Sequence, residues 1–150
     1  MPIDLRPAVY LSAPSAEIER AREVRETLTR HGVRVVGGDW IEEVEALGSE
    51  ATGAADRDLV PCIWRQWIRQ AHALLVLAPL GTTTSGVYRE LEQALSLDVP
   101  VIVSCCAPYE RVPLALLDRE ARVQGRWHHE LDDQSAVAMA VRVARRESRS

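Results

Sequence analysis

The segment ALLVLA, residues 73–78, is apolar at every position. A strand covered on one face alternates apolar and polar residues, whereas a strand covered on both faces does not. This run therefore calls for a sheet sandwiched between helices. Residues 8–13 (AVYLSA), flanked by prolines, and residues 99–104 (VPVIVS) repeat the pattern, and residues 33–36 form a shorter run that ends at Gly37 and Gly38. Helical patterns separate these runs. Residues 16–30 space Ile18, Ala21, Val24 and Leu28 along one helix face, with Ser15 as the expected N-cap and Gly32 as the left-handed stop. Residues 56–71 carry Ile63, Trp64, Trp67, Ile68 and Ala71 on one face, with Pro61 tolerated in the first turn. A third helix runs from Gly86 or Val87 to Leu97, a short one covers 112–120, and a last spans 133–146, with acids at its start and arginines at its end as the helix dipole favours. Residues 121–125 read as an edge strand. Residues 39–55 are acidic and weakly periodic, and read as a surface excursion or flap.

Strands alternating with helices predict one α/β domain over residues 1–150. The expected architecture is a three-layer α/β/α sandwich with a mostly parallel, Rossmann-like or flavodoxin-like sheet of about five strands and right-handed crossovers. Ligands in such folds bind beyond the carboxyl ends of the strands. The loops at 12–15, 37–40 and 80–90 are expected to meet there.

The chain has a formal net charge of -4, which disfavours binding to nucleic acid or to an anionic membrane surface. It contains no lysine, so Schiff-base chemistry and a Walker-type phosphate loop are both excluded. Three cysteines, Cys62, Cys105 and Cys106, do not make a disulfide framework. No metal-binding spacing occurs, and His128 and His129, as neighbours on a strand, would point to opposite faces. No metal and no cofactor are expected. The first residues lack the pattern of a signal peptide and no apolar run reaches membrane-spanning length, so the expected location is the cytoplasm.

The chemistry concentrates in Thr84-Ser85-Gly86-Val87-Tyr88-Arg89-Glu90. Gly86 allows close backbone approach, and the free N–H groups of a new helix favour an anion. Glu90 lies about one turn in, where the helix dipole is expected to keep its carboxylate ionised, as suits a nucleophile. Tyr10, leaving the first strand, is placed to fix that carboxylate. Ser12, Thr83, Thr84 and Ser85 add hydroxyls for sugar or phosphate oxygens. The plain alternative is a helix-start Glu that is merely solvated. Elsewhere the plain reading prevails: Cys105 and Cys106 as small buried groups, His72 as structural, Arg65 and Arg69 as a solvated face, Trp64 and Trp67 as core. Trp127-His128-His129 suggests a subunit contact or lid.

Taken in order, VYLSAP, a helix, WxxQAxALLVL and SGVYRELEQALSLDVPVIV resemble the nucleoside 2-deoxyribosyltransferase-like superfamily over roughly residues 9–103. The matching positions are Tyr10-Leu11-Ser12-Ala13-Pro14, then Ser85, Gly86, Tyr88 and Glu90, then Ala94 and Pro100. The resemblance implies that Glu90 attacks the anomeric carbon of a (deoxy)ribosyl group, that Tyr10 orients it, and that Ser12, Ser85, Gly86 and Tyr88 line the substrate. Thr84, six residues before Glu90, would face a 5′-phosphate. The resemblance also implies a nucleoside or nucleotide ligand and a homodimer or larger assembly. One departure stands out: Trp64 occupies the place of the Asp that handles the base in those families. Asp58 or Asp39 would substitute, or the leaving group would need no acid, as with nicotinamide, or the protein would only bind.

Overall fold

In the computed structural model, residues 6–37, 41, 61–78, 85–106 and 126–149 are described, apart from the side chains at 15, 61–65, 85, 86 and 88. Five strands form one parallel sheet: β1 (Ala8–Ser12), β2 (Arg34–Val36), β3 (Ala73–Leu77), β4 (Val101–Ser104) and β5 (Trp127–Glu130). Their spatial order is β2-β1-β3-β4-β5. Among the described residues four α-helices accompany them: α1 (Ile18–Arg30), α2 (Pro61–Gln70), α3 (Ser85–Ser96) and α4 (Asp133–Ser148).

The apolar runs behave as their composition requires, since every residue of β1, β3 and β4 is buried. The two-residue period of a strand sorts them between two cores. Ala8, Tyr10, Leu74, Val76, Val101 and Val103 pack with Ile68 of α2 and Val87, Leu91 and Ala94 of α3. Val9, Leu11, Leu75, Leu77 and Ile102 pack with Ala21, Val24 and Leu28 of α1 and with the alanines and valines of α4. Burying a Leu, Ile or Val contributes about 1.5–3 kcal/mol. A slip of one residue would exchange the two sets, so the pattern also fixes the register.

The chain moves from β1 to β2 in one direction, then crosses back to β3 on the other side and continues to β4 and β5. The order reverses between β1 and β3, the topological switch point beyond whose carboxyl ends such folds bind ligands. Ser12 is paired with Val76 at that edge. Among the described residues, no helix is long and apolar enough to cross a membrane.

Several local expectations change. Ser15 does not cap α1; it opens a 3-10 turn over Ser15–Glu17, and α1 begins at Ile18 without a side-chain cap bond. The stop at the other end is as expected, with Gly32 at φ 77°. Val33 and Val99 precede their strands rather than starting them. Trp127, His128 and His129 open β5 rather than forming a lid, with Trp127 buried against the α2 and α3 core. Cys105 is buried, but Cys106 lies past the strand end and is exposed. Expectations for 38–40, 42–60, 79–84 and 107–125 lie outside the described residues.

Candidate functional site

Alternation along β1 turns Tyr10 to the face covered by α2 and α3 and, two residues on, Ser12 to the same face. Along α3, Val87, Leu91 and Ala94 form the buried stripe. Glu90 falls three residues after Val87 and one before Leu91, so helical geometry carries its carboxyl into the sheet-facing side. Its exposure is 9 %, while Tyr10 and Ser12 are each 1 % exposed. The structure thus brings together three residues singled out in the sequence: Tyr10, Ser12 and Glu90.

The Tyr10 hydroxyl donates a hydrogen bond to the Glu90 carboxyl. Burial pushes the Tyr10 phenol far above its ordinary range, and the neighbouring Glu90 charge and hydrogen bond push the same way. Burial likewise pushes the Glu90 carboxyl up to about 8, against the downward pull of Tyr10 and Ser12. The Ser12 hydroxyl is close enough to lower the Glu90 pKa. It nevertheless completes no hydrogen bond of regular geometry among the described residues. A buried hydroxyl without a full bond retains capacity for an incoming polar group.

The expectation of an ionised Glu90 is therefore overturned, and at neutral pH its carboxyl keeps its proton. Helix α3 starts at Ser85, which sets Glu90 in the second turn, where the N-terminal dipole has decayed. Desolvation is the largest influence on its pKa, and among the described residues no cation offsets it.

Ser85, Gly86 and Tyr88 lie in the first turn of α3, and Trp64 lies in α2; none of their side chains is among those described. Thr84, Asp39 and Asp58 lie outside the described residues. Trp67 is half-buried against the core, and Arg69 is exposed. His72 is structural: its Nδ1 accepts the Ala8 N–H at 2.9 Å, and burial together with Arg34 lowers its pKa. Among the described residues, no group of three or more His, Cys, Asp or Glu is placed to hold a metal ion.

Two features escaped the sequence reading. Gly37, at φ 70°, lies directly against the Tyr10 ring. The only sequence signal for it was the Gly37-Gly38 pair after β2. The second feature is a polar knot at the carboxyl ends of β3 and β4, on the opposite face of the sheet. Arg20 of α1 grips Asp133 of α4 through Nε (2.8 Å) and Nη2 (2.7 Å) and donates to the Ala78 and Ser104 carbonyls. The Ser104 hydroxyl donates to Asp133 at 2.6 Å. Burial acts to raise the Asp133 pKa, but the bonds from Arg20 and Ser104 and the Arg20 charge outweigh it and hold the carboxyl below its ordinary value.

Strand order and site position define a doubly wound α/β protein with flavodoxin-like order and its candidate site at the β1/β3 switch point. A solved structure with the same fold is the solution structure of BlsM, at a TM-score of 0.59 and 16 % sequence identity. The match covers 95 % of this chain and 91 % of that one. No protein-family model and no curated protein matches the sequence.

Proposed function

We propose that this protein cleaves the N-glycosidic bond of a nucleoside 5′-monophosphate or related nucleotide, as a hydrolase or a transferase, with Glu90 as the nucleophile. One observation carries the reading: a carboxyl at the topological switch point, buried, held by the Tyr10 hydroxyl and flanked by the incompletely bonded Ser12. The resemblance of the Tyr10 and Glu90 segments to the deoxyribosyltransferase-like superfamily supports it, and the fold shared with BlsM is compatible with it.

In this reading the Glu90 carboxylate adds to C1′ while the C1′–N bond breaks and its electron pair leaves with the base. Water or a second base then attacks C1′ and frees the carboxylate, as in two-step retaining glycosyl transfer. The neutral resting state of Glu90 bears on the place where Trp64 stands for an acid. Glu90 must lose one proton to attack, and the departing base must gain one. Passage of that proton to the base, directly or through solvent, balances the step without a second carboxyl. Tyr10 holds the carboxylate oxygen in place as the charge develops.

The test is nucleobase release from a panel of nucleoside monophosphates by the wild type and by Glu90→Gln. Release by the wild type that the variant loses is expected. No release from any member, or equal release by both, refutes the assignment. The neutral carboxyl also favours a second reading, a nucleotide-binding module in which Glu90 only hydrogen-bonds its ligand. Its mark is a melting temperature that rises with the logarithm of nucleotide concentration without turnover.

A further inference from the structure

We infer that Gly37 is a positioning residue for Glu90: its bare Cα is the seat against which the Tyr10 ring rests, and that contact sets where the Tyr10 hydroxyl meets the carboxyl. The inference rests on the reading of Glu90 as the reacting group, although its physical content does not depend on the reaction. A Cβ placed on Gly37 would lie 2.5 Å from Tyr10 Cε2, 3.0 Å from Cδ2 and 3.3 Å from Cζ. Carbon atoms pack at about 3.5–4.0 Å. The ring would therefore have to retreat by about 1 Å at Cε2. Cε2 adjoins Cζ, the carbon that bears the hydroxyl, so the displacement is delivered to the end of the ring that bonds Glu90. An O–H···O bond spans only about 2.5–3.0 Å and does not survive such a shift.

Tyr10 has little room to retreat. It is 1 % exposed, and its strand pairs with β2 on one side and β3 on the other. Gly37 directly follows Val36, the residue paired with Tyr10, so the ladder that aligns β1 with β2 also delivers the bare Cα to the ring. A glycine serves here twice over, because φ is 70° and the neighbour leaves no space for a methyl.

The molecule contains its own control. Gly32 has φ 77°, almost the same backbone conformation, and nothing lies within 4 Å of a Cβ placed there. Alanine at either position therefore meets a similar backbone strain, and alanine at 37 alone meets the ring. The experiment is a carbon-13 NMR titration of the Glu90 carboxyl in four proteins: wild type, Gly37→Ala, Gly32→Ala and Tyr10→Phe. Tyr10→Phe removes a hydrogen bond that holds the Glu90 pKa down, so its titration moves upward. Gly37→Ala is expected to move it upward by a comparable shift, and Gly32→Ala to leave it in place. A titration unmoved by Gly37→Ala, unmoved by Tyr10→Phe, or moved equally by Gly32→Ala overturns the inference.

Should Gly37→Ala fail to fold, the substitution is made in a Tyr10→Leu background. The loss in Tm from Gly37→Ala should then shrink to that of Gly32→Ala in the wild type, and an undiminished loss overturns the inference. The titration needs no substrate. Absence of base release alongside the expected titrations refutes the proposed reaction and leaves the role of Gly37 standing, whereas base release with an unmoved titration does the reverse.

Discussion

Two acidic side chains stand at the carboxyl edge of the same sheet, Glu90 on the face covered by α2 and α3 and Asp133 on the face covered by α1 and α4. Each is desolvated and each accepts from a hydroxyl, Tyr10 for Glu90 and Ser104 for Asp133. They differ in one partner. Asp133 is gripped by the Arg20 guanidinium, which carries its pKa downward, while among the described residues no cation acts on Glu90, whose pKa burial carries upward to about 8. The bonds of the Asp133 knot tie α1 and α4 to the ends of β3 and β4. Among the described residues Glu90 is held by hydroxyls, an arrangement that leaves its charge state open to an incoming group. An acid paired with a cation ties elements of the fold together, and a buried acid with a raised pKa is a candidate for chemistry.

That contrast breaks or sharpens in four measurements. The largest effect is on base release: Glu90→Gln is expected to lower it by about 10⁴-fold, and Asp133→Asn to leave it within a few-fold; equal losses would erase the distinction. Stability comes next. Asp133→Asn should cost about 2 kcal/mol in denaturant unfolding, a figure reduced for side chains that are one quarter (Arg20) and one third (Asp133) exposed.

The third measurement is the pH dependence, where the signs oppose. Glu90 binds its proton more tightly when folded, so its contribution is greatest below the unfolded value of about 4.5 and is lost as pH rises towards about 8. The slope from this group is at most about 1.4 kcal/mol per pH unit. Asp133 behaves oppositely: its contribution is present above its unfolded pKa and is lost as pH falls through the lowered folded value. Thermal melts across pH should therefore show Glu90→Gln flattening the neutral-to-alkaline limb, with the variant more stable than the wild type at pH 9. The smallest effect is at Ser12. Ser12→Ala should change stability by less than about 1 kcal/mol, because the hydroxyl makes no regular hydrogen bond. It should nonetheless move the Glu90 titration upward, since Ser12 lowers that pKa.

The sheet was legible because β1, β3 and β4 have no polar alternation to confuse them, and a strand buried on both faces has few other solutions. β5 was not legible: WHHE has no β-branched residue and only Trp127 is buried, so its pairing with β4 is decided by tertiary context. The location of Glu90 could be read from its place in the buried stripe of α3 and from the resemblance of its motif. Its charge state could not, because desolvation depends on what the other elements place around it. The role of Gly37 leaves no local signal beyond the Gly37-Gly38 pair, and the Arg20–Asp133 knot leaves none. The first is a contact between adjacent strands, and the second joins residues 113 apart in the chain.

The fifth strand has a further consequence. At its start, Arg126 pairs with Asp98 at 2.8 Å and reaches Glu147 at 3.8 Å, so the turn before β4 and the end of α4 are stapled to it. At its far end, the Glu130 carbonyl accepts from Cys105 N–H, and His129 Nε2 meets the Cys105 carbonyl at 3.0 Å. β5 is thus four residues long, carries two histidines and a glutamate, and is secured at both ends, while β2 at the opposite border is only three residues long. Neither border of the described sheet offers the long apolar ribbon on which another chain can lay a sixth strand. Among the described residues, both border strands thus disfavour the lateral addition of a further strand.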